Sequence, residues 1–226
     1  MTQNRIDLTR LHRFENCSED DFATIKRMAG IKEYKRGSEL FHQDQDINGL
    51  YVIASGYVKV MRLMNERQIL LNIFDSGDAV GEMALIKGKT FPATATAITT
   101  VSAVFLPVYH YNFLKTTSKT FANSIANSVA CNGMLLLKNQ SALVDGEVEQ
   151  RLIGFFSNLF RKHKQVLTEN KILLPYYISR SDIASAVGAR SETISRVMSR
   201  WEQADILTTM ENCMIGDMLF FEENQN

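Results

Sequence analysis

The sequence predicts an α+β protein: an antiparallel β-sandwich or barrel in the N-terminal half, one long helix after it, and a helix-turn-helix with a following hairpin at the C-terminal end. Three observations carry this. Residues 33–106 hold short runs of β-formers (ELFH, GLYVIASGYVKVMRLM, RQILLNIF, TATAITTV, SAVFLP), punctuated by glycines at 37, 49, 56, 77, 81 and 88. Beyond Pro107 the apolar period changes from two to about 3.6 residues. Residues 178–201, ISRSDIASAVGARSETISRVMSRW, then read as two helices joined by a glycine turn.

Taken in order, the chain opens with a short helical lead-in. Its acidic start SEDD and the spacing of Phe22, Ile25 and Met28 carry a helix to about Gly30. The strand-rich region that follows should close on itself, and such closed β folds have an interior or mouth that can hold a small ligand. Asp44, Asp46, Asn48 and Gly49 match the first half of a calcium loop, but its twelfth position is Ser55 rather than a bidentate Glu, and LYVI reads as a strand. A polar hairpin turn, with no metal, is the expectation there.

Residues 109–117 form a short predicted helix and 119–144 a long one. Phe121, Ile125, Val129, Leu135, Leu136 and Leu143 make the long helix apolar along one stripe, with Ser128, Asn132 and Asn139 interleaved. Such a stripe needs a partner, and no second long helix exists in the chain. A second copy is the expected partner, since a two-fold dimer would set two reading helices about one DNA turn apart. Packing of this helix on the β part alone is the competing expectation. Val144, Asp145 and Gly146 suggest a hinge, VEQRLIGFFSNLF restarts an amphipathic helix, and the RKHK after it reads as a solvated basic loop. The expected domains are residues 1–118, 119–145 and 146–226.

In the last domain Ser179 reads as an N-cap with Asp182 three residues on, Ile183, Ala184 and Val187 as the buried face, and Gly188 as the stop. A second helix from near Ser191 to Trp201 buries Ile194, Val197, Met198 and Trp201. Glu192, Ser195, Arg196 and Ser199 share its other side. A carboxylate can accept from cytosine N4 and a guanidinium can bridge guanine O6 and N7, so this face suits base edges. An ordinary exposed helix face is the plainer alternative, since Glu and Arg four apart also pair weakly. Ser179, Arg180, Arg190 and Ser191 complete the expected DNA-binding set. ADILTTMENCMIGDMLFF then alternates strand-like runs, as in a winged hairpin.

The net charge is zero, yet residues 151–202 carry nine basic and four acidic side chains, the excess lying where phosphates would. Cys17, Cys131 and Cys213 are too scattered for a disulfide framework or CxxC metal site and are expected to be reduced thiols. The N-terminus lacks an apolar signal core, and no run approaches the roughly 18 apolar residues of a membrane span, so a soluble cytoplasmic protein is expected. No nucleophile, base and orienting group recur at useful spacing, which makes an enzyme the weakest reading.

Together these segments resemble the Crp/Fnr superfamily of bacterial transcription regulators from residue 33 onward. GLYVIASGYVKV, the DSGD of residues 75–78, GEMALI from Gly81 and ISRSDIASAVGARSETISRV carry the resemblance. It implies a cupin-like β-roll sensor, a long dimerisation helix and a winged helix-turn-helix. Asp44 departs from it, standing where HQ is usually followed by Gly. Glu192-x-x-Ser195-Arg196 is similar to the Fnr-like branch, which implies TTGAT half-sites with Glu192 and Arg196 on the G·C pair and Ser195 on a neighbouring thymine.

The same resemblance implies an effector pocket of Gly81, Glu82, Met83, Ala84, Phe91, Pro92, Ala93, Asn132 and Leu136. Cyclic-AMP binders carry Arg-Ser where this chain has Phe91-Pro92, and Leu136-Leu137 corresponds to their adenine-binding Thr-Ser. Glu82, the ribose contact, is present. Ordinary cyclic AMP is therefore disfavoured and another cyclic nucleotide is left open. An iron–sulfur cluster is disfavoured by the lone Cys17. The PATATA run resembles Dnr-type nitric-oxide and haem sensors, whose axial ligand here would have to be His12, His42, His110 or His163. The expected partners are double-stranded DNA, a second copy and a small effector, with RNA polymerase a further candidate and no membrane. A constitutive DNA binder with a vestigial pocket is the alternative function.

Overall fold

The computed structural model describes residues 17–144 and 147–223, and the side chains of these except Lys87, residues 135–144 and Glu223. The expected hinge at Asp145-Gly146, His12 and the Leu136 side chain lie outside the described residues. The chain divides into two compact units. One takes Asn72–Leu135 and the chain up to Arg62; the other takes Leu63–Leu71 and the chain from Leu136.

The first unit opens with α1 (Glu19–Met28). Ser18 and Asp21 form a reciprocal capping box, Asp21 N–H donating to Ser18 Oγ at 3.2 Å and Ser18 N–H to Asp21 Oδ2 at 3.0 Å. Two four-stranded antiparallel sheets follow. One contains β1 (Gly30–Tyr34), β8 (Val101–Pro107), β3 (Gly49–Ser55) and β6 (Ala79–Val80), in the order β1-β8-β3-β6. The other contains β2 (Glu39–Phe41), β7 (Thr94–Ala97), β4 (Val58–Met64) and β5 (Arg67–Phe74), in the order β2-β7-β4-β5. Central pairing sets Tyr51 opposite Phe105 and Val52 opposite Val104. A short helix not anticipated from the sequence, α2 (Glu82–Lys87), separates β6 from β7. The expected calcium-like segment is a turn in which Asp44 N–H donates to Phe91 O at 2.8 Å and Asp46 bridges to Thr90, and Gly49 already opens β3.

Helix α3 (Val108–Thr117) and the part of α4 (Lys119–Val144) up to Leu135 complete the unit. Phe121 and Ile125 of α4 join Ile25, Leu50, Val104 and Leu106 in one core. The N-terminal half of the long helix is thus used inside its own unit, and it brings Ser124, Ser128 and Asn132 into the interior with it.

The second unit contains α5 (Val148–His163), β9 (Gln165–Val166), β10 (Lys171–Leu174), α6 (Arg180–Val187), α7 (Ser191–Gln203), β11 (Leu207–Thr209), β12 (Met214–Asp217) and α8 (Met218–Glu223). The strands pair antiparallel in the order β11-β12-β10-β9, so the expected hairpin is the edge of a larger sheet. Two readings are corrected. Arg161, Lys162 and His163 are the last turn of α5 rather than a loop, placed where cations complement the helix dipole, and His163 is buried with its ring 5.6 Å from Tyr176. MLFF is helical, which carries Phe221 into an aromatic core with Phe156, Phe160 and Trp201.

Two glycines in this unit separate backbone strain from crowding. Gly188 ends α6 at φ 64°, and a Cβ there would meet nothing within 4 Å, whereas a Cβ on Gly216 would lie 2.5 Å from Phe160 Cζ. Gly188→Ala should therefore lower unfolding free energy by about 1–2 kcal/mol through its left-handed backbone alone. Gly216→Ala should cost about 1–3 kcal/mol or more by overpacking. Urea unfolding of both variants measures the difference.

Candidate nucleic-acid interface and effector pocket

The helix-turn-helix is set by local signals. Ser179 Oγ accepts from Asp182 N–H at 3.1 Å to start α6, and Gly188 turns the chain towards α7. Ile194, Val197, Met198 and Trp201 are buried on one side of α7. Ser191, Glu192 and Arg196 are exposed on the other, Ser195 and Ser199 are half-buried beside them, and Arg190 is exposed at the N-cap. Short hydroxyl side chains between Glu192 and Arg196 leave both longer groups room to reach outwards. Arg180 stands apart: its Nη2 lies 3.3 Å from Glu202 Oε2, so part of its guanidinium is already engaged and only its remaining N–H groups face a phosphate without opening that ion pair. Both partners are about a third exposed, and such pairs hold about 0–1 kcal/mol.

Sequence reasoning missed what holds this face in place. Trp201 Nε1–H donates to Glu149 Oε1 at 2.9 Å, and Arg200 Nη2 donates to Glu149 Oε2. The Arg200 hydrogen bond holds the Glu149 carboxyl below its ordinary value; partial burial opposes this, and the Trp201 bond adds to the lowering. Two residues on, Arg151 Nε donates to the carbonyl of Val187 at 2.9 Å. Both contacts join residues more than thirty positions apart, beyond the reach of any local pattern.

In the first unit Glu82 is 2% exposed. Ser128 Oγ donates to its Oε2 and Asn132 Nδ2 to its Oε1, both from α4. Burial, followed by the charge of Glu82, pushes the Tyr111 hydroxyl up to about 12. Gly81 precedes Glu82 at φ 86°, and a Cβ there would lie 2.8 Å from Phe91 Cε1. Phe91 is fully buried and stacks on Phe41, ring centroids 3.8 Å apart at 11°. Ala84 and Ala93 are buried too. The structure does not bring the whole expected pocket together: Met83 is 47% exposed and Pro92 is exposed, because each flanks a buried neighbour and points the other way. Phe41 is a member that the sequence does not single out, and Ser128, read there only as a residue interleaved in the long helix, is another.

The candidate haem ligands are dispersed. His42 is exposed with Nδ1 3.2 Å from Glu39 Oε2, His110 Nδ1 lies 3.2 Å from the carbonyl of Met28, and His163 belongs to the second unit. Burial pushes the Cys17 thiol up to about 11, with the Asp21 charge adding to it. Among the described residues no group of three or more His, Cys, Asp or Glu side chains is placed to hold a metal ion. No helix among them is long and apolar enough to cross a membrane.

The sequence matches the cyclic nucleotide-binding domain family over residues 31–114 and the Crp-like helix-turn-helix domain family over residues 150–218. The chain belongs to the Crp/Fnr superfamily. It is 28% identical over 190 residues to the fumarate and nitrate reduction regulatory protein of Vibrio cholerae, covering 78% of this chain and 70% of that protein. It is 23% identical over 190 residues to the HTH-type transcriptional regulator Cmr of Mycobacterium tuberculosis, covering 84% and 73%. The fold is similar to that of the c-di-GMP responsive global regulator CLP of Xanthomonas campestris, with a TM-score of 0.74, 19% identity and coverage of 88% and 99%. This Crp/Fnr-type protein is a transcription regulator.

Removing one donor from a buried carboxylate costs more than removing the whole network. Ser128→Ala in this Crp/Fnr-type chain should lower unfolding free energy by about 1.5–3 kcal/mol. Combining Glu82→Leu, Ser128→Ala and Asn132→Leu should recover most of that loss. Chemical denaturation of the single and triple variants reads both.

Proposed function

We propose that the protein is a two-fold dimer that reads palindromic double-stranded DNA with TTGAT-like half-sites through α7. The observation that carries this is the exposed Glu192 and Arg196, one helical turn apart at the start of a helix whose opposite side is locked in the core. Glu192 accepts from cytosine N4, Arg196 bridges guanine O6 and N7, and Ser195 meets a neighbouring thymine. Ser179, Arg190, Ser191 and Ser199 surround that face and supply backbone contacts, and Arg180 does so through the N–H groups that Glu202 leaves unengaged. The dimer is supported by α4, which turns Ser124, Ser128 and Asn132 inwards and leaves Asn127, Ala130, Cys131 and Met134 outwards, Met134 at 69% exposure. RNA polymerase as a protein partner follows from the family resemblance.

A small effector in the β-roll, other than ordinary cyclic AMP, regulates the dimer, with Glu82 receiving one of its hydroxyl groups. The Xanthomonas campestris regulator, described as c-di-GMP responsive, adds a cyclic dinucleotide to the candidates. A second reading, the constitutive binder with a vestigial pocket, is favoured by one specific observation. Phe91 fills the space beside Gly81, and both Glu82 oxygens are already bonded to α4. The dispersed histidines favour neither reading and give haem no evident axial ligand among the described residues.

Binding to a TTGAT palindrome against single-base variants tests the DNA reading. Glu192→Ala should lose about 1–3 kcal/mol of discrimination at one base pair, while Ala130→Glu should give a monomer in sedimentation and lose palindrome binding. Equal loss on palindrome and random DNA by Glu192→Ala would sink the assignment. Thermal melts against cyclic mononucleotides and dinucleotides divide the pocket readings, because a ligand at 100 times its Kd adds about 2.7 kcal/mol. A melt unmoved by every nucleotide selects the vestigial pocket.

A further inference from the structure

The first turn of α5 grips both helices of the reading head, and we propose that Glu149 is the positioning residue that sets the rotation of α7 and so the angle at which Glu192, Ser195 and Arg196 meet base edges. This rests on the reading of α7 given above. Trp201 is 1% exposed, and its indole N–H is a polar point on the buried side of α7. A buried indole N–H must find an acceptor, and Glu149 Oε1 supplies it at 2.9 Å. The second oxygen of the same carboxylate takes Arg200. Adjacent residues on a helix point about 100° apart, so one carboxylate bonded to both cannot follow α7 if the helix rolls.

The lever is long enough to matter. A roll of about 10° moves a side-chain tip about 6 Å from the axis by about 1 Å, which spoils a bidentate base contact. The other tie at this end of α7, Arg180 to Glu202, joins two partly exposed side chains and is the weaker constraint. Arg151 meanwhile fills an orphan carbonyl at the end of α6, so one turn of α5 fixes both halves of the motif. Since Arg200 is 60% exposed, the buried Trp201 bond carries most of the positioning.

Trp201 is the single tryptophan of the chain, so its emission reports this contact directly in the full-length protein. Glu149→Leu should shift that emission and lower the ratio of palindrome to random-DNA affinity roughly tenfold, the equivalent of one charge-assisted hydrogen bond, with random-DNA affinity unchanged. Glu149→Gln retains an acceptor for the indole and should keep the wild-type emission and most of the ratio. Should Glu149→Leu fail to fold, Trp201→Phe removes the N–H together with one ring of the indole and, read by the affinity ratio alone, should show the same loss of ratio. Unchanged emission in Glu149→Leu, or a shifted emission with the wild-type ratio, overturns the proposal. A wild-type protein with no preference for the palindrome overturns the reading of α7 and this proposal together; a preference retained in Glu149→Leu overturns this proposal alone.

Discussion

A carboxylate taken almost wholly out of water needs a donor on each oxygen, because an unpaired buried charge costs several kcal/mol. Glu82 is that group in the first unit, and its donors, Ser128 and Asn132, stand four residues apart on α4. Their spacing puts both on one face, so satisfying Glu82 fixes the rotation of the long helix against the β-roll. Phe121 and Ile125 lie on the same side and add apolar burial to the constraint. What remains outward among the described side chains includes Asn127, Ala130, Cys131 and Met134, and the same rotation that satisfies the carboxylate selects them.

The second unit solves a related problem with the roles reversed. There one deeply buried polar group is a donor, the Trp201 indole N–H, and the carboxylate that meets it stays partly in solvent. Around it Phe156, Phe160 and Phe221 pack edge to face or tilted, which fills the core but leaves helix rotation only loosely specified. Directional hydrogen bonds from Glu149 and Arg151 supply what aromatic packing does not. A reading face of short polar side chains can be accurate only if its base is held this way.

Much of this is legible in the sequence because the signals are local. The long helix spans Lys119–Val144, the range its apolar period indicates, and Ser179 and Gly188 mark the bounds of α6 by cap chemistry that acts within three residues. Short elements escape: α2, β9 and β10 are six residues or fewer and carry no full period. RKHK reads as a loop because charge suggests solvent, yet helix ends accept cations and His163 packs against Tyr176. MLFF alternates nothing and reads as strand from its β-forming content, whereas the aromatic core draws it into a helix. The partners of Glu82 and Glu149 lie 46 to 52 residues away, and only the fold brings such pairs together.

The two readings of the β-roll then differ in what a ligand must displace. A hydroxyl that donates to Glu82 either shares an oxygen with Ser128 or Asn132 or replaces one of them, because each oxygen already has one donor from α4 and keeps a second lone pair. Exchanging one donor for another is nearly neutral for the carboxylate, so the hydroxyl by itself supplies little affinity. The helix, by contrast, loses a tie worth about 1.5–3 kcal/mol in charge-assisted bonding, which is the size of an ordinary allosteric coupling energy. A ligand hydroxyl that replaced one of these donors would therefore couple to α4. Without such a ligand the same bonds hold α4 in one rotation.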